Sequence, residues 1–303
     1  MSGAPMLFDR GLGRERLARA LRRAGDHGAA FLLRRAADEL DDRLGAILRR
    51  FETAVDLGGA LPYAAAFLAG SPQADRVIRI APAPEAEDPR WATIVGDEEN
   101  LPLEPENVDL VVSLLSLQGV NDLPGALVQI RRALRPDGLL LACLVGGATL
   151  TELRQAFTQA ESEMEGGASP RVFPFADVRD LGALLQRAGF ALPVTDTDAF
   201  TVRYSDPLAL MRDLRAMGAT NTLMARRRTP LRRATLIRAL EIYAERFSDP
   251  DGRIRATFEF IWLSGWAPHE SQQKPLRPGS AKARLADALG VREQPTGEKP
   301  GEG

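Results

Sequence analysis

The residues best placed for chemistry lie at the ends of short β-type runs. Thr53-Ala54-Val55-Asp56-Leu57-Gly58 ends in glycine and is followed by Gly59. A glycine-rich turn after a strand lets backbone approach a ligand, and the N-terminus of the next helix favours negative charge. Asp56 therefore has two readings: it holds a cationic group through this loop, or it caps the following helix. Asp97 and Glu98 lie just past a second run, Trp91 to Val95. They can accept from an amino group, or simply sit as solvated turn carboxylates. His269-Glu270 follows the apolar run Ile254 to Trp266. That pair suits general acid–base work or substrate contact, or else a structural loop or subunit interface.

The elements that must position these groups alternate in period. Residues 12–24 read as a short basic amphipathic helix, with leucines at 17 and 21 among arginines. Its arginine face suits a membrane surface or a docking partner, or plain solvation on a packed helix. Gly25 to Gly28 breaks it, and a second helix is expected over 29–50. Strands are expected at 53–58, 76–80, 91–95, 108–113 and 139–145. Helices are expected from Tyr63 to Ala69 and from Asn121 to Leu134, the latter with Asn121-Asp122 as its cap. Strands and helices alternating at this spacing specify a doubly wound, mostly parallel sheet with helices on both faces. Helices over 149–163, 178–188, 207–217 and 230–247 follow, with extended segments at 192–203 and 254–266. The expected organisation is an N-terminal helical region (1–50), a core (51–200), a C-terminal α+β extension closing the site (201–275) and a disordered tail (276–303).

Composition excludes several classes. Apolar residues make up 45% of 303, enough for a sizeable core. A formal charge of -2 gives no footprint for nucleic acid. Cys143 is the only cysteine, and His27 and His269 are the only histidines, which argues against a Cys/His zinc site and for a reducing compartment. No run of about 18 apolar residues suggests a membrane span. Cys143, Trp262 and Trp266 read as packing residues.

The order of motifs narrows the reading. Asp56-Leu57-Gly58, Asp97-Glu98, Leu101-Pro102, the run Val108 to Ser113 and Leu134-Arg135-Pro136-Asp137-Gly138 come in a sequence that resembles the class I S-adenosylmethionine (SAM) methyltransferases, a Rossmann-like fold. Phe8-Asp9-Arg10, Ser116 to Pro124, Gly146 to Arg154, Glu161 to Pro170 and Gly265 to Gln272 are similar to one subfamily. That subfamily is the respiratory complex I assembly factors, known as arginine hydroxylases, which are related to the malonyl-acyl-carrier-protein methyltransferases of biotin synthesis. The resemblance implies SAM as cofactor, a complex I subunit as protein partner, and a cofactor-contact set of Asp56, Gly58, Gly59, Asp97, Glu98 and Ser113. Gln118, which replaces the histidine of the family's His-Trp pair, joins His269 and Glu270 as a catalytic candidate. Seven residues precede Phe8, from which a bacterial cytoplasmic protein is expected, peripheral at most to the inner membrane.

The chain also departs from the family pattern. The glycines expected at the end of the first loop are Ala60 and Pro62. Proline has no N–H to offer, and an alanine forced to positive φ costs about 1 kcal/mol. The ribose carboxylate expected after the second strand is Ala81, followed by Pro82, with Glu85 and Glu87 as possible substitutes. At roughly 1.5–3 kcal/mol per hydrogen bond to a charged group, SAM affinity is expected to weaken from micromolar towards millimolar. Three readings stand: a SAM-fold enzyme acting on a protein side chain, a non-catalytic assembly platform, and a small-molecule or acyl-carrier methyltransferase.

Overall fold

The computed structural model describes residues 6–24 and 30–273. The expected break at 25–28 and the tail at 276–303 lie outside them. Residues up to Pro268 form one compact unit, and His269 onward belong to another.

Seven strands form one sheet: β1 (Phe51–Leu57), β2 (Ala74–Ala81), β3 (Ala92–Val95), β4 (Val108–Leu114), β5 (Leu134–Val145), β6 (Ala191–Tyr204) and β7 (Ile254–Trp266). Their order is β3-β2-β1-β4-β5-β7-β6. The first five pair in parallel, and β7 runs antiparallel between β5 and β6. This is the doubly wound, mostly parallel sheet the alternation specified. The expected core boundary at residue 200 falls within β6, and β7 is an interior strand of the same sheet.

The helices are α1 (Arg10–Ala24), α2 (Phe31–Gly45), α3 (Tyr63–Gly70), α4 (Leu123–Ala133), α5 (Thr151–Glu165), α6 (Val178–Arg187), α7 (Pro207–Ala216) and α8 (Arg233–Phe247). Side chains alternate along the strands into two apolar layers. Leu139, Leu141 and Cys143 of β5 pack with α2, α3, α5, α7 and α8, while Leu140, Ala142 and Leu144 pack with α4 and α6. Caps explain several starts: Asp122 accepts from the Gly125 N–H at 2.8 Å, and Asp206 from that of Ala209 at 2.9 Å, each with a proline in the first turn. The helix expected over 29–50 ends at Gly45, and Phe51 already starts β1 as a fully buried core residue.

The segment 135–138 falls between the helix expected to end at Leu134 and the strand expected from 139. It is instead an irregularity inside β5, where the pairing with β4 shifts between Val108 and Leu110. The left-handed residue there is Asp137, at φ 64°, not Gly138. Gly138 is required by close approach, since an added Cβ would lie 2.9 Å from the Arg135 carbonyl oxygen and 3.1 Å from that of Asp109.

From β1 the chain winds outward to β3, then returns to the other side of β1 as β4. A ligand crevice opens at such a reversal, outside the carboxyl ends of the strands. Here those ends present 56–61 after β1 and 115–119 after β4.

Candidate functional site

The loop after β1 is organised by a residue on the neighbouring strand. In the parallel register Asp56 stands beside Arg79 of β2. Arg79 is fully buried. Its Nη1 donates to Asp56 Oδ2 at 2.7 Å and to the Gly58 carbonyl at 2.9 Å. Its Nη2 donates to the Gly59 carbonyl at 3.2 Å and to Glu85 Oε1 at 2.7 Å, and its Nε to Glu85 Oε2 at 2.7 Å. Those bonds use every N–H that a guanidinium carries. Asp56 Oδ2 also accepts from the Ala65 N–H at 3.1 Å, in the first turn of α3. Burial pushes the Asp56 carboxyl up to about 6, with Arg79 and the Ala65 N–H pulling the other way. Burial works against the Arg79 charge, but Glu85 and Asp56 outweigh it and hold its pKa above the usual arginine value.

Gly58 and Gly59 carry the left-handed turn, at φ 71° and 78°. An added Cβ on Gly58 would lie 2.1 Å from Ser116 Oγ and 2.6 Å from Glu98 Oε1, so only glycine fits. Ala60 does not have positive φ. The strain expected there is absent, because the two residues before it complete the turn. Pro62 occupies the cap position of α3.

The acidic end is also partnered from within the chain. Arg10, in the first turn of α1, reaches Asp97 Oδ1 at 2.7 Å and Glu99 Oε1 at 3.0 Å, and pairs with Glu98. Arg14, one turn on, pairs with Asp97, and the Ser116 hydroxyl donates to Glu98. Burial disfavours the Arg10 charge, yet the three carboxylates raise its pKa overall. Burial likewise works to raise Asp97, but the Glu99 N–H and the two arginines bring it below the ordinary carboxylate value.

A cavity of about 370 Å³ opens beneath α1. Phe8, Leu61, Pro82 and Leu115 supply apolar wall, and Glu98 and Gln118 supply acceptors. Gln118 donates through Nε2 to the Leu115 carbonyl at 2.7 Å, while its buried Oε1 has no hydrogen-bond partner among the described residues. Of the residues singled out in the sequence, Gly59, Glu98 and Gln118 line this cavity, and Asp56, Gly58, Asp97 and Ser113 do not. Ser113 is fully buried and donates to the Leu57 carbonyl at 3.0 Å, tying β4 to the end of β1. His269 and Glu270 fall in the second unit, where His269 Nδ1 lies 2.7 Å from Ser271 Oγ. Sequence reasoning missed Arg79 and Arg10. For Arg79 one signal was present, a charged residue between Ile78 and Ile80 in a β-type run.

Comparison with known proteins follows this geometry. Residues 63–142 match the family described as methyltransferase domain. The human protein named arginine-hydroxylase NDUFAF5, mitochondrial, is 39% identical over 287 residues, covering 93% of this chain and 83% of that protein. The chain belongs to the NDUFAF5 family, within the class I methyltransferase superfamily. The zebrafish (Danio rerio) member of the NDUFAF5 family is 45% identical over 194 residues, covering 64% of this chain and 60% of that protein. A protein of Halorhodospira halophila named malonyl-[acyl-carrier protein] O-methyltransferase is 32% identical over 293 residues, covering 91% and 96%. The YcgJ protein of Bacillus subtilis shares the fold, with TM-score 0.52, 15% identity and coverage of 77% and 99%. Among the described residues no helix is long and apolar enough to cross a membrane.

The superfamily's cofactor provides a test of fit. The resemblance assigns SAM's amino-acid portion to the loop after β1. There Asp56 and both glycine carbonyls already accept from Arg79, and Glu85, the nearest carboxylate beyond Ala81, is committed to the same guanidinium. The residues present do not fit that mode of holding SAM.

Proposed function

We propose that this NDUFAF5-family chain serves the assembly of respiratory complex I, and that its cavity receives an arginine side chain of a complex I subunit. The observation carrying this reading is the chemistry of the cavity's polar wall. Glu98 and the unpartnered Oε1 of Gln118 are both acceptors, and Glu98 already holds a guanidinium, that of Arg10. A guanidinium offers five donors in a planar fork and keeps its charge on burial. Arg10, Arg14 and Arg171 also line the cavity, so the acceptor left for an incoming head group is Gln118 Oε1, with the apolar wall taking the stem.

The human and zebrafish relatives are named arginine hydroxylases and are mitochondrial, which supports an arginine as the group acted upon. In that reading Gln118 Oε1 accepts from the incoming fork, Glu98 holds Arg10 and Ser116 in place beside it, and Phe8 and Leu115 exclude water.

Deleting the gene and assaying complex I tests the role. The expected outcome is loss of assembled complex, with a subunit arginine that lacks one oxygen atom by mass spectrometry. Normal assembly with an unchanged subunit mass overturns it. A biotin requirement on deletion would point to the acyl-carrier reading.

A further inference from the structure

We infer that Arg79 is a built-in replacement for the cofactor's cationic group, and that this chain does not bind SAM. The argument rests on which acceptors exist and what already uses them. The end of SAM that the superfamily brings to this loop carries an ammonium, which needs carboxylate or carbonyl oxygen around it. The loop offers the Asp56 carboxylate and the carbonyls of Gly58 and Gly59. All three accept from one guanidinium, at 2.7, 2.9 and 3.2 Å. Arg79 is anchored from its far side by the two-pronged contact with Glu85, both prongs at 2.7 Å. The pair geometry is bidentate, the strongest form of this contact.

A side chain held this way does not swing aside for a ligand. Arg79 has no exposed surface and no spare donor. Removing it would leave the buried carboxylate of Asp56 without its counter-charge, a heavy penalty. The cavity is consistent with this separation. Gly59, Ala60 and Leu61 contribute to its wall, while Asp56, Arg79 and Glu85 do not line it. The other two departures from the pattern follow. Pro62 gives up an N–H that has no cofactor to meet, and Ala81 with Pro82 leaves no carboxylate for a ribose. The space kept open beneath α1 is then available to a substrate side chain alone.

This inference does not rest on the arginine-substrate reading, and its experiment is separate from the assembly assay. Calorimetric titration of the purified full chain with S-adenosylhomocysteine and with SAM, up to about 1 mM, is expected to give no saturable heat and no shift in Tm. One-to-one binding of either compound at micromolar Kd overturns the inference. A second measurement isolates Arg79 as the cause. Arg79→Gly combined with Glu85→Gln frees Asp56 and the two carbonyls without stranding a second carboxylate. This variant, if it retains the wild-type circular dichroism, is expected to gain a shift in Tm with S-adenosylhomocysteine. A folded variant that gains none removes Arg79 from the explanation. If the double variant fails to fold, Arg79→Lys serves instead. It keeps one charge but cannot fill five bonds, so it is expected to gain a shift in Tm with S-adenosylhomocysteine that the wild type lacks; a folded Arg79→Lys that gains none removes Arg79 from the explanation.

Discussion

Replacing Arg79 with methionine leaves Asp56 buried without its counter-charge and Glu85 without its partner. Breaking one side of a buried pair costs about 3–5 kcal/mol, so Arg79→Met is expected to lower the urea midpoint by a large fraction of total stability. A loss under 1 kcal/mol would mean that the two carboxylates find other partners. Asp97 makes a smaller, pH-dependent contribution. Its folded pKa lies below the ordinary 3.8, so its stabilisation is fully present above 3.8 and is lost as pH falls through the folded value. The group is about one-third exposed, and solvent screening keeps its worth within about 1 kcal/mol. Asp97→Asn is therefore expected to lower Tm slightly at pH 7, with the gap to wild type closing below pH 3.8; a gap that persists at low pH would contradict the ion-pair account. At this scale the sequence was legible only in part. Glu98 and Gln118, singled out from motif position, line the cavity and Asp56 does not, and the partners of Asp56 and Glu98 could not be read from the sequence. Arg79 meets Asp56 through strand register, and Arg10 meets Glu98 across 88 residues of chain.

Helix α1 is the element that roofs the cavity. Leu17 and Leu21 line the cavity, Arg10 and Arg14 reach the acidic turn after β3, and Arg16 bonds Thr220 Oγ1 at 3.3 Å and the Asn221 carbonyl. Gly218, at φ 74°, lies against it, and an added Cβ there would sit 3.0 Å from Leu17 Cα. A left-handed alanine costs about 1–2 kcal/mol before any clash. Gly218→Ala is therefore expected to lift α1 away, speeding amide exchange along residues 10–24 while β1 and β4 keep their protection. Equal loosening of the sheet would show that α1 is integral to the main core. The element pattern itself was largely readable, because alternating periods of 2 and 3.6 residues survive in a single sequence. Two features were not. The irregularity at Arg135 to Gly138 looks like a turn from composition alone, since Pro-Asp-Gly signals a turn whether or not pairing continues around it. The turn at Gly58 and Gly59 also needed the backbone to be seen, and it relieves Ala60 of the strain its neighbours suggested.

The whole molecule depends on a strand that arrives late in the chain. β7 pairs with β5 on one side and β6 on the other, and buries Phe258, Phe260, Ile261, Trp262 and Leu263. At about 2 kcal/mol for each large apolar side chain, those residues alone supply roughly 10 kcal/mol, comparable with the 5–15 kcal/mol net stability of an ordinary domain. Residues 201–275 were expected as an extension closing the site, and nothing in local sequence says that Ile254 to Trp266 inserts between β5 and β6, two strands that precede it in the chain. The consequence is that the chain cannot be trimmed to its methyltransferase-like half. Truncation after residue 253 is expected to abolish cooperative urea unfolding and to send the product into the insoluble fraction, because β5 and β6 are then left with open edges. Removal of residues 1–24 strips α1 and leaves every strand paired, so that product is expected to stay soluble and unfold cooperatively at a lower midpoint. A soluble, cooperatively folding 1–253 fragment would show that β5 and β6 can pair without β7, and the late strand would then be a closure rather than a support.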